Sequence, residues 1–367
     1  MVRRRPLTRT VALATVLAAV LVAPAGLAAR SHPQTPAKSH PWTVVANHLH
    51  SPRGLSMGPG DILYIAQSGD ATHNGSILQV RNASSRHPKS RTIASGFPAF
   101  GAEDFESING IAVRGRGKNT RIFAQMGLAP QITLNPMSGA LLSVKLDGTS
   151  TTIANVGDAM WTWTGDHSAL WEEFPDANPY GVLAIPGHVY VTDAGANTLV
   201  EVMPDGRVVV LAYFPNTLIR DAIPTCVARG PDGALYVGTL AFVEGVILGS
   251  PEAKVYRVDP TTANLVDPTL TPMTEWATGL WPINGCTFGK DGTFYASQLV
   301  TQAAPTFVDP HGDVVKIPWG SPTTHISLTG GTLSWAAGVA VGRNGSVYVA
   351  EGTAFVPEGR VLRLARH

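Results

Sequence analysis

One pattern recurs six times along the chain and constrains the fold more than anything else in it. The copies read PRGLSMGPGDILYIAQSG (52–69), INGIAVRGRGKNTRIFAQMG (108–127), NPYGVLAIPGHVYVTDAG (178–195), IPTCVARGPDGALYVGTL (223–240), INGCTFGKDGTFYASQL (283–299) and AAGVAVGRNGSVYVAEG (336–352). Each opens a short strand near a Gly, makes a tight Gly-containing turn, and returns on an aromatic or β-branched strand. A second hairpin follows five of them, as in GALLSVKLDGTSTTIANVG (139–157) and NTLVEVMPDGRVVVLAYFP (197–215). Two hairpins per unit predict a four-stranded antiparallel sheet. Six units predict an all-β, six-bladed β-propeller of the NHL-like kind around a central channel. The sixth unit stops after GRVLRLARH (359–367) and lacks its outer strand. WTVVANHL (42–49) resembles the outer strand RTIASGF (91–97). It is therefore expected to pair with the C-terminal blade over 359–364 and close the ring, removing a sheet edge.

Composition agrees with this reading. The 367 residues include 38 Gly and 28 Pro, and only 14% are charged, well below the roughly 25% of average domains. Coiled coils and long surface helices are excluded on that ground. The net charge of +1 excludes a strongly basic nucleic-acid binder. Residues 1–28 read as a secretory signal: Arg3–Arg5, an apolar stretch from Val11 to Val22, then small residues offering cleavage after Ala25 or Ala28. Their removal takes four Arg and leaves 23 basic and 26 acidic residues, a net charge of −3. Residues 29–41 read as a flexible leader and 42–367 as one propeller domain. The mature protein is expected in the periplasm or outside the cell, as a monomer without a membrane span.

Loop lengths single out one face. The turns joining the first two strands of each blade are short. Nearly all long connections (67–74, 98–107, 126–138, 157–178, 214–223, 239–252 and 299–311) fall on the opposite face, over the channel mouth. Long loops gathered on one face mark a binding surface. Candidate ligand-binding residues there are Arg53, Gln67, Asn109, Gln125, Asp176, Asn178, Tyr180, Asp193, Asp221, Asn284, Gln298 and Glu351. Oxygen-rich rings can hold a hard cation such as Ca²⁺, for which Asn109, Asp193, Asn284 and Glu351 are the candidate ligands. The plainer alternative is that these side chains hydrogen-bond neighbouring loops. Trp161, Trp163 and Trp171 read as an aromatic lid over the channel or as a small core holding their loop down. In this loop Asp166 is read as the cap of a helix over about 168–174. Cys226 and Cys286 each follow the repeat position on an inner strand. They are expected as buried free thiols, because inner strands of neighbouring blades are taken to lie too far apart for a disulfide.

The segments DANPYGVLAIPGHVYVTDAGANTLVEVMPDGRV (176–208), DAIPTCVARGPDGALYVGTL (221–240), SPRGLSMGPGDILYIAQSG (51–69) and AKVYRVDP (253–260) resemble the ScyD/ScyE family of exported bacterial propellers. The resemblance spans about 42–367. It implies a secreted six-bladed propeller without a general catalytic assignment. It therefore favours a binding protein whose partner is a small molecule, glycan or protein. In that family the second strand often ends in an acid, whereas Gln67, Gln125, Thr239 and Gln298 stand here. The competing reading is a Ca²⁺-dependent lactonase or esterase of the gluconolactonase or paraoxonase type. Such enzymes are similar in placing Asn before Gly on inner strands, as Asn109-Gly110 and Asn284-Gly285 do, and an Asp after a strand like HVYVTD (188–193). The Glu they carry on the first inner strand is replaced here by Arg53.

Overall fold

The structure, a computed structural model, describes residues 42–365 except 103, 218, 219 and 309. The signal and leader read in 1–41 lie outside the described residues. The described residues open on β1 (Trp42–Leu49). Blade one is β2 (Pro52–Gly58), β3 (Ile62–Gln67), β4 (Gly75–Arg81) and β5 (Lys89–Phe97). Blade two is β6 (Ile108–Arg114), β7 (Arg121–Met126), β8 (Ala140–Val144) and β9 (Ser150–Asn155). Blade three is β10 (Pro179–Ile185), β11 (His188–Asp193), β12 (Thr198–Val202) and β13 (Val208–Tyr213). Blade four is β14 (Pro224–Arg229), β15 (Leu235–Thr239), β16 (Ala253–Val258) and β17 (Met273–Leu280). Blade five is β18 (Ile283–Phe288), β19 (Phe294–Gln298), β20 (Asp313–Ile317) and β21 (Ile326–Ser327). Blade six holds β22 (Val339–Val341), β23 (Val347–Glu351) and β24 (Gly359–Leu364). Each forms a four-stranded antiparallel sheet, and β1 is the outer strand of blade six.

Closure follows the expected register: Trp42 pairs with Leu364, Val44 with Leu362 and Leu49 with Gly359, with two bulges between. The inner strands touch in ring order, with β22 returning to β2. Between blades, alternate residues of each strand interdigitate. Leu63, Ile65, Val361 and Tyr348 pack one such layer, and Val255, Ile283, Phe294 and Ile317 another. The GPDG and GKDG turns place Gly233 and Gly292 at φ +87° and +81°, the left-handed backbone such hairpins need.

Glycine at the repeat position has a second use. A Cβ on Gly110 would lie 2.2 Å from the Tyr180 carbonyl oxygen, and one on Gly338 2.3 Å from that of Arg53. Inner strands thus approach to backbone contact near the mouth. This closeness overturns the expectation of free thiols, because Cys226 and Cys286 are joined by a disulfide, with Cα atoms 5.7 Å apart. In blade four Thr225 stands at the repeat position, and its hydroxyl donates to the Ile283 carbonyl of blade five at 2.6 Å. The residues that follow on each strand are thereby within bridging distance.

Among the described residues two α-helices interrupt the loops: α1 (Pro130–Thr133) and α2 (Val156–Asp166). The helix expected over 168–174 is not formed; α2 precedes it. Its cap is Asn155, whose side chain accepts from the Asp158 amide at 2.9 Å. Val156, Met160 and Thr164, spaced by four, form the buried face. Asp166 ends this helix instead of starting one. No helix among the described residues is long and apolar enough to cross a membrane.

Candidate functional site

At the long-loop end of the channel the first halves of the inner strands enclose a cavity of about 60 Å³. Arg53, Asn109, Tyr180, Asn284 and the disulfide are among its lining residues. Arg53 is buried there. Its guanidinium donates to the Tyr180 hydroxyl at 2.8 Å and to the Phe105 carbonyl at 2.9 Å. It also donates to Asp104 and lies 3.7 Å from Glu106. Tyr180 passes the chain on, donating to Asn284 Oδ1 at 2.7 Å. Asn109 donates to Glu106 and accepts from Ser68 at 3.1 Å. Burial alone would lower the Arg53 pKa, but Asp104, Tyr180 and Glu106 hold it well above its ordinary value. Burial pushes Glu106 upward against the pull of Arg53. The mouth is therefore closed by one cation and two acids locked into a network.

Asp104 and Glu106 were not among the expected residues. They come from the irregular 98–107 loop, where no periodicity marks them; the only signal was a cluster of acids in one of the long insertions.

A second group gathers under the 157–178 and 214–223 loops. Asp193 Oδ1 accepts three backbone amides, from Asn178 at 2.7 Å, Ala196 at 2.9 Å and Gly195 at 3.1 Å. Asn178 Oδ1 accepts from the Leu128 amide at 2.9 Å. Asp176 accepts from the Ala177 amide at 2.7 Å. Burial raises Asp193 to about 7, Asp221 to about 7 and Asp176 to about 6; the charge of Asp176 adds to the first two, that of Glu244 to Asp221 and that of Glu173 to Asp176. Unfolded, these acids lose their protons near pH 4. Between about pH 4 and 7 the folded chain thus holds more protons than the unfolded one, and stability falls as pH rises. Urea unfolding at pH 8 is expected to show a loss of several kcal/mol against pH 5, on the order of 3 kcal/mol of it from Asp193 alone. Asp193→Asn keeps the accepting oxygen and should make the slope shallower, leaving the share of Asp221 and Asp176; an unchanged slope would count against Asp193 as a contributor.

The remaining expected residues are pinned within their own blades. Gln67 accepts from the His50 amide at 2.9 Å and donates to Ser76 at 2.8 Å. Gln125 donates to the carbonyls of Met126 and Gly139 at 2.9 and 3.0 Å. Gln298 is buried at the end of β19. Glu351 accepts from the Ser334 amide at 2.9 Å and from Arg360 at 2.5 Å. The four expected Ca²⁺ ligands are consequently split. Asn109 and Asn284 line the mouth cavity, whereas Asp193 and Glu351 are not among its lining residues. Asp193 closes a turn and Glu351 an ion pair.

Trp161 and Trp163 lie on α2 and pack, half-buried, against the core between blades two and three. Trp163 stacks on His167 with centroids 4.3 Å apart and tilts against Tyr213 at 6.0 Å. Trp171 is half-buried in the turn that follows. For Trp161 and Trp163 the small core describes their place better than a lid. The roomier hollows open on the opposite, short-turn side. The far end of the channel encloses about 310 Å³, and a groove beside Asp61 and Arg343 about 360 Å³. Loop length did not point to them.

No family model matches this chain, and no curated protein matches it in sequence. Solved structures do match in shape. A gluconolactonase from Xanthomonas campestris superposes with a TM-score of 0.52 at 13% identity, covering 88% of each chain. Regucalcin, a calcium-binding protein from Agrobacterium tumefaciens, gives 0.52 at 12%, covering 88% of this chain and 93% of that one. A putative glucose dehydrogenase from Thermus thermophilus gives 0.51 at 14%, covering 88% and 99%. At such identities the likeness is one of fold: this chain is a six-bladed β-propeller built like those proteins.

Proposed function

We propose that the chain is an exported propeller of the ScyD/ScyE kind that binds a partner across its long-loop face. The observation carrying this reading is the position of Arg53. A guanidinium held by Tyr180, Asp104 and Phe105 stands on the first inner strand, where the resemblance to hydrolases of the gluconolactonase type would put an acid ligand. A cation beside it would meet like charge. The cavity beneath, about 60 Å³, is far below the roughly 300 Å³ or more of a small-molecule site. A glycan or protein lying across the loops fits better than a substrate held in the channel. The disulfide supports export, because such bonds persist in oxidising compartments.

The hydrolase reading draws on one observation, that Asn109 and Asn284 do share the cavity. A panel of lactones and aryl esters, assayed with added Ca²⁺, separates the two. No Ca²⁺-dependent turnover is expected. Turnover abolished by chelator and by Asn284→Ala would overturn the binding reading.

A further inference from the structure

On the long-loop face, outside the lining of the Arg53 cavity, the turn between β1 and β2 meets the loop between β3 and β4. The two are tied by backbone bonds from Ser68 to Ser51 at 3.0 Å and from Gly69 to His50 at 3.1 Å. This junction brings two imidazoles and a carboxylate together. His50 Nδ1 lies 2.7 Å from Asp70 Oδ2. His73 Nδ1 lies 2.9 Å from Asp70 Oδ1 and 3.0 Å from Oδ2. The ligating atoms of all three fall within 4.8 Å of one another, the one such group among the described residues. The imidazole rings stack with centroids 3.8 Å apart and 18° between planes, and both Nδ1 atoms face the same carboxylate.

Protons alone account poorly for this arrangement. Despite its closeness to Asp70, the buried His50 Nδ1 has no partner in hydrogen-bond alignment among the described residues. His73 Nδ1, with at most one proton, faces both Asp70 oxygens and the Thr72 hydroxyl, the last at 2.9 Å. Two protonated rings stacked face to face would repel. A shared cation resolves all three features.

We propose that His50, Asp70 and His73 form a binding site for a divalent ion of the Zn²⁺ class. Two imidazole nitrogens and one carboxylate suit a borderline transition metal and not Ca²⁺, which takes six to eight oxygens. Tetrahedral Zn²⁺ separates its ligand atoms by about 3.3 Å, from Zn–N and Zn–O lengths near 2.0 Å. Widening the gaps by a few tenths of an ångström and turning the two imidazoles out of their stack, so that both Nδ1 lone pairs point at one centre, therefore admits the ion. His73 is half exposed, so at least one coordination position faces solvent and is open to water or an anionic oxygen. The site clasps the turn after the closing strand onto blade one. It is separate from the Arg53 cavity and stands whatever becomes of the binding reading.

The test uses the chain purified without an affinity tag and stripped with chelator. Titration with Co²⁺ should develop the visible absorption of a four- or five-coordinate ion, saturating at one per chain and displaced by Zn²⁺ but not by Ca²⁺. His73→Ala and Asp70→Asn should each weaken binding by roughly tenfold or more. Zn²⁺ should raise the melting temperature of the wild type and not of His73→Ala. His73 is exposed and outside the core, so that variant folds. No Co²⁺ spectrum, or a spectrum unchanged in both variants, would mean a hydrogen-bonded cluster only and overturn the proposal.

Discussion

Replacing Cys226 and Cys286 together by alanine is expected to cost about 4 kcal/mol of stability. The bridge closes a loop of 60 residues, and the entropy withheld from the unfolded chain by such a loop gives that figure. Urea unfolding of the double variant against the oxidised wild type measures it. Reductant should bring the wild type down toward the variant and leave the variant unmoved. A thiol count on the denatured, unreduced chain should find no free sulfhydryl; two free sulfhydryls would dispose of the bridge outright. Since Cys226 is buried and each alanine removes only a sulfur, cavity formation adds little.

Arg53→Ala is expected to cost about 3–5 kcal/mol, the range for removing one partner of a buried ion pair. The loss falls mainly on Glu106, whose side chain is 13% exposed, and less on Asp104, which is 49% exposed and can turn to water. Arg53→Lys should recover only part, because an ammonium cannot reach Tyr180, Asp104 and the Phe105 carbonyl from one planar fork. Adding Glu106→Gln to Arg53→Ala should restore much of the stability by removing the stranded charge. Equal stability of wild type and Arg53→Ala would show that the network contributes nothing.

These two sites mark where sequence reasoning reached and where it stopped. Blade count, turn positions and the pairing of β1 with β24 were all legible, because each is written locally. An Asp-Gly turn or an alternating strand carries its own signal within ten residues. The disulfide is not legible in the sequence because strand separation is a tertiary distance. The repeated glycine that permits the close approach is visible in the sequence, but it marks turns and strand starts as readily as close packing. The helix was misplaced because Asp166 and Asn155 are both good caps, and only Asn155 is followed by an apolar stripe that finds a core. Arg53, Asn109, Tyr180 and Asn284 share the repeat position on their inner strands, and all four line one cavity. Their acidic partners carry no such mark, since Asp104 and Glu106 lie on a loop whose path nothing periodic dictates. Nor does spacing foretell that His50 would meet Asp70 and His73, because they come from two loops that meet only where the β2–β3 hairpin continues past its strands.

That closure has a consequence for how the molecule is made. Trp42 pairs with Leu364, so the first strand to be synthesised waits for the last. Five blades can assemble from neighbours in sequence, but the sixth cannot exist until the whole chain is available. Joining its ends costs the entropy of a loop of more than three hundred residues, a cost that grows only logarithmically with length. It falls on the rate more than on the final stability. Until then β24 presents an unpaired edge, and another copy's β1 is as good a partner as its own. Keeping chains apart during this interval is therefore as much a condition of correct folding as the sequence of the blades.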